Sequence, residues 1–260
     1  MDQDPSWNNR RLITAITVEN GIIMPHMRNL GFLLCASMSS AVILTSAGAP
    51  AGSKTQMAGI NPLPIASVYF EQNATDGDVE VVFKAKGGDD GLAHFKVVSP
   101  DGRTVINFKA PDKSTMGIRQ FHLESPEPKD VGALKTAYPE GEYQFSARTF
   151  SGAVMTAAST LSHRLPTTAQ FVTPTPKAAD VPTTNVMVSW RTVAGAERYI
   201  VKIEQDELGT KIETTLTANS TSFDVPNGFL SPGTEYELAI GTVSAAGNIS
   251  FVETSFTTRK

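Results

Sequence analysis

The sequence predicts an all-β protein: two tandem β-sandwiches behind an N-terminal export signal. Three observations predict it. Short runs with period-two alternation, bounded by Gly, Pro, Asn and Asp turns, recur from residue 65 to the end. β-branched side chains are frequent in the second half, which suits a pleated, half-buried surface. The 260 residues are 40% hydrophobic and 18% charged, a packed rather than a disordered composition. That length accommodates two ordinary domains.

Charge narrows the function classes. Lys and Arg number 22 against 26 Asp and Glu, a net charge of −4, and the pI is near 5.6. A nucleic-acid surface would need a basic face, so nucleic acid is not an expected partner. The chain also lacks a polybasic tract for anionic lipid.

The leader comes first in chain order. Arg28 precedes an apolar run from Leu30 to Met38 that continues through Ala41 to Leu44. Small residues follow, Ala47-Gly48-Ala49-Pro50-Ala51. A basic start, an apolar core and an A-x-A end make a secretory signal over 24–51, cleaved after Ala51 with Ala47 as the other admissible site. The run is too short and too rich in serine for a membrane span, so no span is expected after the signal is removed. Cys35 is preceded by Leu34 rather than a small residue, which argues against a lipoprotein. Asp2, Asp4 and Glu19 spoil a basic start, so 1–23 reads as a mis-assigned start or a disordered extension, with initiation at Met24 or Met27. Residues 52–64 read as a flexible segment. The single Cys, Cys35, leaves with the leader, so the processed protein has no disulfide and no thiol nucleophile. The expected location is secreted or periplasmic.

Residues 65–165 read as the first sandwich. Val79, Val81, Phe83 and Ala85 alternate, and Pro100-Asp101-Gly102 turns a hairpin between Ala93–Val98 and Arg103–Phe108. Phe121 and Leu123 fall in phase on another strand. Asp130 is placed to cap a short helix whose face carries Val131, Leu134 and Tyr138. A final strand runs from Val154 towards Leu165. Either 165–168 or Pro174-Thr175-Pro176 is the linker, and its prolines limit hinge freedom.

Residues 166–260 read as the second. Val186, Val188 and Trp190 share one face, as do Tyr199, Val201 and Ile203. Phe223 with Val225 and then Tyr236, Leu238 and Ile240 continue the alternation, and Ile249–Thr257 closes the chain. The set Ser189-Trp190, Ala196 to Val201, Leu230-Ser231-Pro232-Gly233-Thr234-Glu235-Tyr236 and Phe256-Thr257-Thr258 resembles a fibronectin type III domain. The resemblance implies that Trp190 and Tyr199 anchor the core and that the Tyr236 hydroxyl bonds back to backbone. The Pro139-Glu140-Gly141-Glu142-Tyr143 stretch echoes that corner one sandwich earlier, so the first domain reads as immunoglobulin-like. Asn73 to Asp78, Phe121 to Pro128, Pro139-Glu140-Gly141 and Leu161-Ser162-His163, with the module behind them, resemble a group of exported bacterial proteins of unassigned activity. A bacterial source demotes the sequons at Asn73, Asn219 and Asn248.

Site chemistry is sparse. Glu71, Asn73, Asp76 and Asp78 form the one candidate metal set. Carboxylates and an amide oxygen around a Gly-containing loop suit Ca²⁺, although the spacing departs from an EF-hand and a polar edge turn explains the same residues. His94, His122 and His163 lack zinc spacing. Ser125 lacks a nucleophile elbow, and Glu124 with Glu127 sits beside prolines in a loop. The expected function is therefore an exported, non-enzymatic interaction or structural module without a cofactor, its partner a protein or polysaccharide. The competing expectation is a calcium-dependent or carbohydrate-directed binding or hydrolytic activity in the first domain.

Overall fold

The computed structural model describes residues 61–113 and 116–260. The leader over 24–51, the reading of 1–23 and most of the 52–64 segment fall outside them. Among the described residues, no helix is long and apolar enough to cross a membrane.

The first module is built from β1 (Asn61–Pro62), β2 (Ile65–Asn73), β3 (Asp78–Lys86), β4 (Leu92–Val98), β5 (Thr104–Lys109), β6 (Gln120–Glu124), α1 (Val131–Ala137), β7 (Gly141–Thr149) and β8 (Val154–Leu161). One sheet has the order β1-β8-β7-β4-β5, and β2-β3-β6 faces it. The flexible reading of 52–64 needs correcting at its C-terminal end. Asn61 and Pro62 pair in parallel with Met155 and Thr156, and Leu63 is buried beneath them.

Period-two alternation fixes which face packs inward. Val68, Phe70, Val79, Val81, Phe83, Phe95, Val97, Tyr143 and Phe145 form the first core. Gly102 takes a φ of +83° at the tip of the β4–β5 hairpin, the conformation that Pro100-Asp101-Gly102 predicts. Asp130 caps α1 as expected, accepting from the Gly132 N–H at 2.9 Å, and Leu134 reaches the core. Leu123, expected in phase with Phe121, lies at the sheet edge and is exposed while Phe121 is buried.

The second module follows with β9 (Gln170–Thr173), β10 (Ala178–Val181), β11 (Met187–Arg191), β12 (Ala196–Gln205), β13 (Thr210–Thr217), β14 (Ser222–Asp224), β15 (Glu235–Ser244) and β16 (Ile249–Thr258). Its sheets are β14-β11-β9 and β13-β12-β15-β16. Trp190, Tyr199, Val201, Ile203, Tyr236, Leu238, Ile240 and Phe256 fill the core. Trp190 is 2% exposed and packs against Tyr199 with ring centres 5.3 Å apart. The Tyr236 hydroxyl accepts from the Ser231 N–H at 2.8 Å, the expected corner. In the first module the Tyr143 hydroxyl donates to the Pro139 carbonyl at 3.1 Å. Both modules share one strand order, because β5 joins the β4-β7 sheet just as β13 joins β12-β15.

The sheets do not stop at the module boundary. β2 pairs in parallel with β16 through Glu71↔Ile249, Gln72↔Ser250 and Asn73↔Phe251. One eight-stranded sheet therefore runs through both modules.

Candidate functional site

The four residues read as a calcium loop sit at this boundary, where they are tied into strands and a turn. Glu71 and Asn73 lie on β2 rather than in a loop. The Asn73 side-chain oxygen accepts from the Thr75 N–H at 3.0 Å. Its amide nitrogen donates to Asp76 Oδ2 at 3.0 Å and to Glu253 Oε2 at 2.8 Å. Asp76 Oδ1 accepts from the Asp78 N–H at 3.1 Å. Gly77 has a φ of +88°, as the tight turn requires. The amide presents hydrogens, not its oxygen, to the neighbouring carboxylates, which is a turn-and-clasp arrangement rather than a set of convergent ligands. Among the described residues, no three His, Cys, Asp or Glu side chains converge as a metal set.

Around that turn the two modules are joined by side chains as well as by sheet. Asn248 is fully buried. Its oxygen accepts from the Phe70 N–H of β2 at 2.9 Å. Its nitrogen donates to the Ser162 carbonyl at 2.7 Å and the Arg164 carbonyl at 2.9 Å, both on the connection after β8. Ser250, also fully buried, accepts from Gln72 Nε2 at 2.8 Å and donates to the Pro166 carbonyl at 2.7 Å. Beyond the strand ends, the Ala74 N–H donates to the Phe251 carbonyl at 2.9 Å. The Glu253 N–H donates to Thr75 Oγ1 at 2.7 Å. Buried polar groups need partners, and here each partner belongs to the other module or to the connection. The linker is thus pinned to β16 instead of swinging.

The outer face of the shared sheet carries a third apolar cluster: Tyr69, Val82, Ala239, Val243, Ile249 and Phe251. Gly241 lies beneath the Phe251 ring, and a Cβ there would approach the ring to 2.6 Å. Lys202 Nζ sits over that ring, 4.0 Å from its centre. Carboxylates crowd the first-module half. Glu71 lies directly opposite Glu80, and Val82 opposite Glu124. Burial pushes the Glu80 carboxyl up to about 7, with Glu124, Glu71 and Glu127 adding to the rise. Burial likewise raises Glu71, against the pull of Lys202 and Lys84. On the second module, burial and then Glu204 and Asp206 raise Glu237. That residue lines a shallow groove of about 390 Å³ with Lys177, Lys202, Glu204 and Glu253.

The remaining candidates are engaged in structure. His94 bonds Asn107 at 3.0 Å. His122 meets Glu124 at 3.2 Å, and burial followed by Lys84 lowers its pKa. His163 packs edge-on against Phe70, ring centres 4.7 Å apart, and bonds the Tyr138 carbonyl at 2.8 Å. This places it beside Phe70 of β2, next to the connection after β8. Ser125 Oγ accepts from the Val81 N–H at 3.0 Å and donates to the Pro126 carbonyl. It extends the β3–β6 pairing.

No family model and no curated protein matches the chain. Solved structures resemble it in fold. The FN1–FN3 domains of chicken CNTN1 are 13% identical with a TM-score of 0.30, over 77% of this chain and 66% of that one. The fibronectin(III)-like modules of Clostridium thermocellum CbhA are 10% identical with a TM-score of 0.31, over 75% and 91%. A two-domain fibronectin type III segment of chicken tenascin is 17% identical with a TM-score of 0.29, over 75% and 98%. The strand order makes each module a two-sheet β-sandwich, β1-β8-β7-β4-β5 over β2-β3-β6 in the first and β14-β11-β9 over β13-β12-β15-β16 in the second. The two sandwiches stand in tandem, with one sheet running through both.

Proposed function

We propose that this is an exported, non-catalytic interaction and spacer protein, its two sandwiches held as one body and its rim loops meeting a protein or polysaccharide partner. The single observation that supports this most is Asn248. A fully buried amide binding β2 on one side and the connection on the other serves relative position, not chemistry. The candidate residues of the first module also hold turns and strands. The rims are left for recognition: the Asp89–Asp90 tip tied to Arg119 and Ser151, and the Leu208-Gly209 turn. Loops on a rigid sandwich are where such folds carry binding.

The test is cell fractionation followed by cross-linking from photoreactive groups placed at Asp90 and at Leu208. Adducts with an envelope or extracellular macromolecule are expected, and N-terminal sequencing of the exported chain should show cleavage near Ala51. Turnover on a panel of hydrolase substrates, abolished by one point change, would overturn the proposal.

A further inference from the structure

Three parallel strand pairings occur among the described residues: β1 with β8, β10 with β16, and β2 with β16. Every other pairing of named strands is antiparallel. The third of these spans the modules, and its direction matters. The chain enters β2 at Ile65 and leaves β16 at Thr258. The two strands overlap only at 71–73 and 249–251. β2 extends from that overlap towards the N-terminal side and β16 towards the C-terminal side. At about 3.3 Å per residue they make a continuous lapped strand of about 50 Å.

Tension along the chain pulls β2 backwards from its start and β16 forwards from its end. In a parallel pair these forces slide the strands past one another. The ladder bonds of a parallel pair are evenly spaced and bridge the two strands at a slant, so sliding strains the overlap as a group rather than peeling it bond by bond. Side-chain bonds from Asn248 to the Phe70 N–H and from Gln72 to Ser250 reinforce the same overlap. Phe251 also shares one buried apolar cluster with Tyr69 and Val82 of the first module. Without this contact, the 162–169 connection would carry the full load from one module to the next, and each sandwich would be loaded on its own.

We infer that the β2–β16 overlap is a load-bearing lap joint. End-to-end tension bypasses the connection, loads the overlap in shear, and must break it before the modules can separate or unfold independently. The chemistry that would exploit this is attachment at both ends, one partner holding the N-terminal side and another the C-terminal side.

The experiment is force spectroscopy on the full chain held at its two ends. The wild type is expected to yield at one dominant peak that precedes release of either module. The double variant N248A/S250A removes the buried cross-module side-chain bonds of Asn248 and Ser250, keeps those of Glu253, and leaves the apolar cores intact. Loss of the dominant peak is expected there, with two separate module-sized releases in its place. An unchanged peak in the variant, or independent module-sized releases in the wild type, would overturn the joint. A second geometry guards against a variant that does not fold. Pulling wild type between Thr167 and the C-terminus leaves the overlap off the load path, so the dominant peak should vanish. Its persistence there would also refute the inference.

Discussion

Replacing Asn248 by Ala tests the joint without force. The substitution orphans one buried backbone donor, the Phe70 N–H, and takes the partner from two part-buried carbonyls, those of Ser162 and Arg164, which can turn to water. Leaving a buried donor unsatisfied costs about 1–3 kcal/mol, and the Phe70 N–H sets that scale here. Against a typical total of about 5–15 kcal/mol, that is a substantial part. The loss falls on the coupling between modules as well as on each module, because the bonds cross the boundary. Urea unfolding of the processed chain distinguishes the two effects. Trp190, the one indole after the leader, reports the second module, and tyrosine absorbance reports both. Wild type should show coincident transitions. Asn248→Ala should lower the midpoint and separate the two signals. A loss below about 1 kcal/mol with transitions still coincident would refute the reasoning, since it would mean that the Phe70 N–H is satisfied without the amide.

The other predictions concern single terms. Glu80 titrates near 7 in the fold, above its ordinary value of 4.5, and Glu71 is raised too. Raised carboxyls bind more protons in the folded state, so their contribution is full below about pH 4.5 and is lost as pH rises through about 7. The melting temperature should therefore fall between about pH 5.5 and about pH 8, and Glu80→Gln should flatten that fall, read by scanning calorimetry. A melting temperature that rises over this interval would contradict the sign. Trp190→Ala should cost about 3–5 kcal/mol and leave the second module marginal, visible as loss of cooperative unfolding by circular dichroism. Millimolar calcium should leave the melting temperature unmoved, because the Asn73 oxygen is committed to its own turn; binding would appear as an upward shift.

Legibility in the sequence followed burial on one face or two. β11, β12 and the start of β15 alternate because one face meets the core and the other is largely polar, so Val188, Trp190 and Tyr199 are readable as inward anchors. β2 was not readable as a strand. Its Val68-Tyr69-Phe70 run is buried on both faces, Phe70 in the first core and Tyr69 on the outer cluster. A buried-both-sides strand gives no period. The same loss of signal hid the candidate site. Glu71 to Asp78 has the composition of a loop, and no local pattern marks β2 beneath it. β13, rich in Thr and half-exposed, offers equally little contrast. The Asn248-Ile249-Ser250 triplet stood out only as a sequon. Its meaning, two polar side chains buried at a strand start, depends on a partner strand far away in the chain, and no local pattern carries that.

The joint also resolves a problem that any tandem of such sandwiches faces. The last strand of a module exposes an edge, and an open edge invites pairing with other chains. β16 is long, Ile249–Thr258, and its free side would be a template along most of that length. β10 covers its C-terminal part through Ala178↔Phe256 and Val181↔Thr258, a capping strand from its own module. β2 covers its N-terminal part from the other module. Between them Glu253 is clasped by Thr75 and Asn73. The edge of one sandwich thus becomes the attachment surface of the next. Because the cover is parallel, the contact that suppresses stray pairing is also the one that resists sliding. Edge protection and mechanical continuity follow from one short overlap, and a change that weakens either must weaken both.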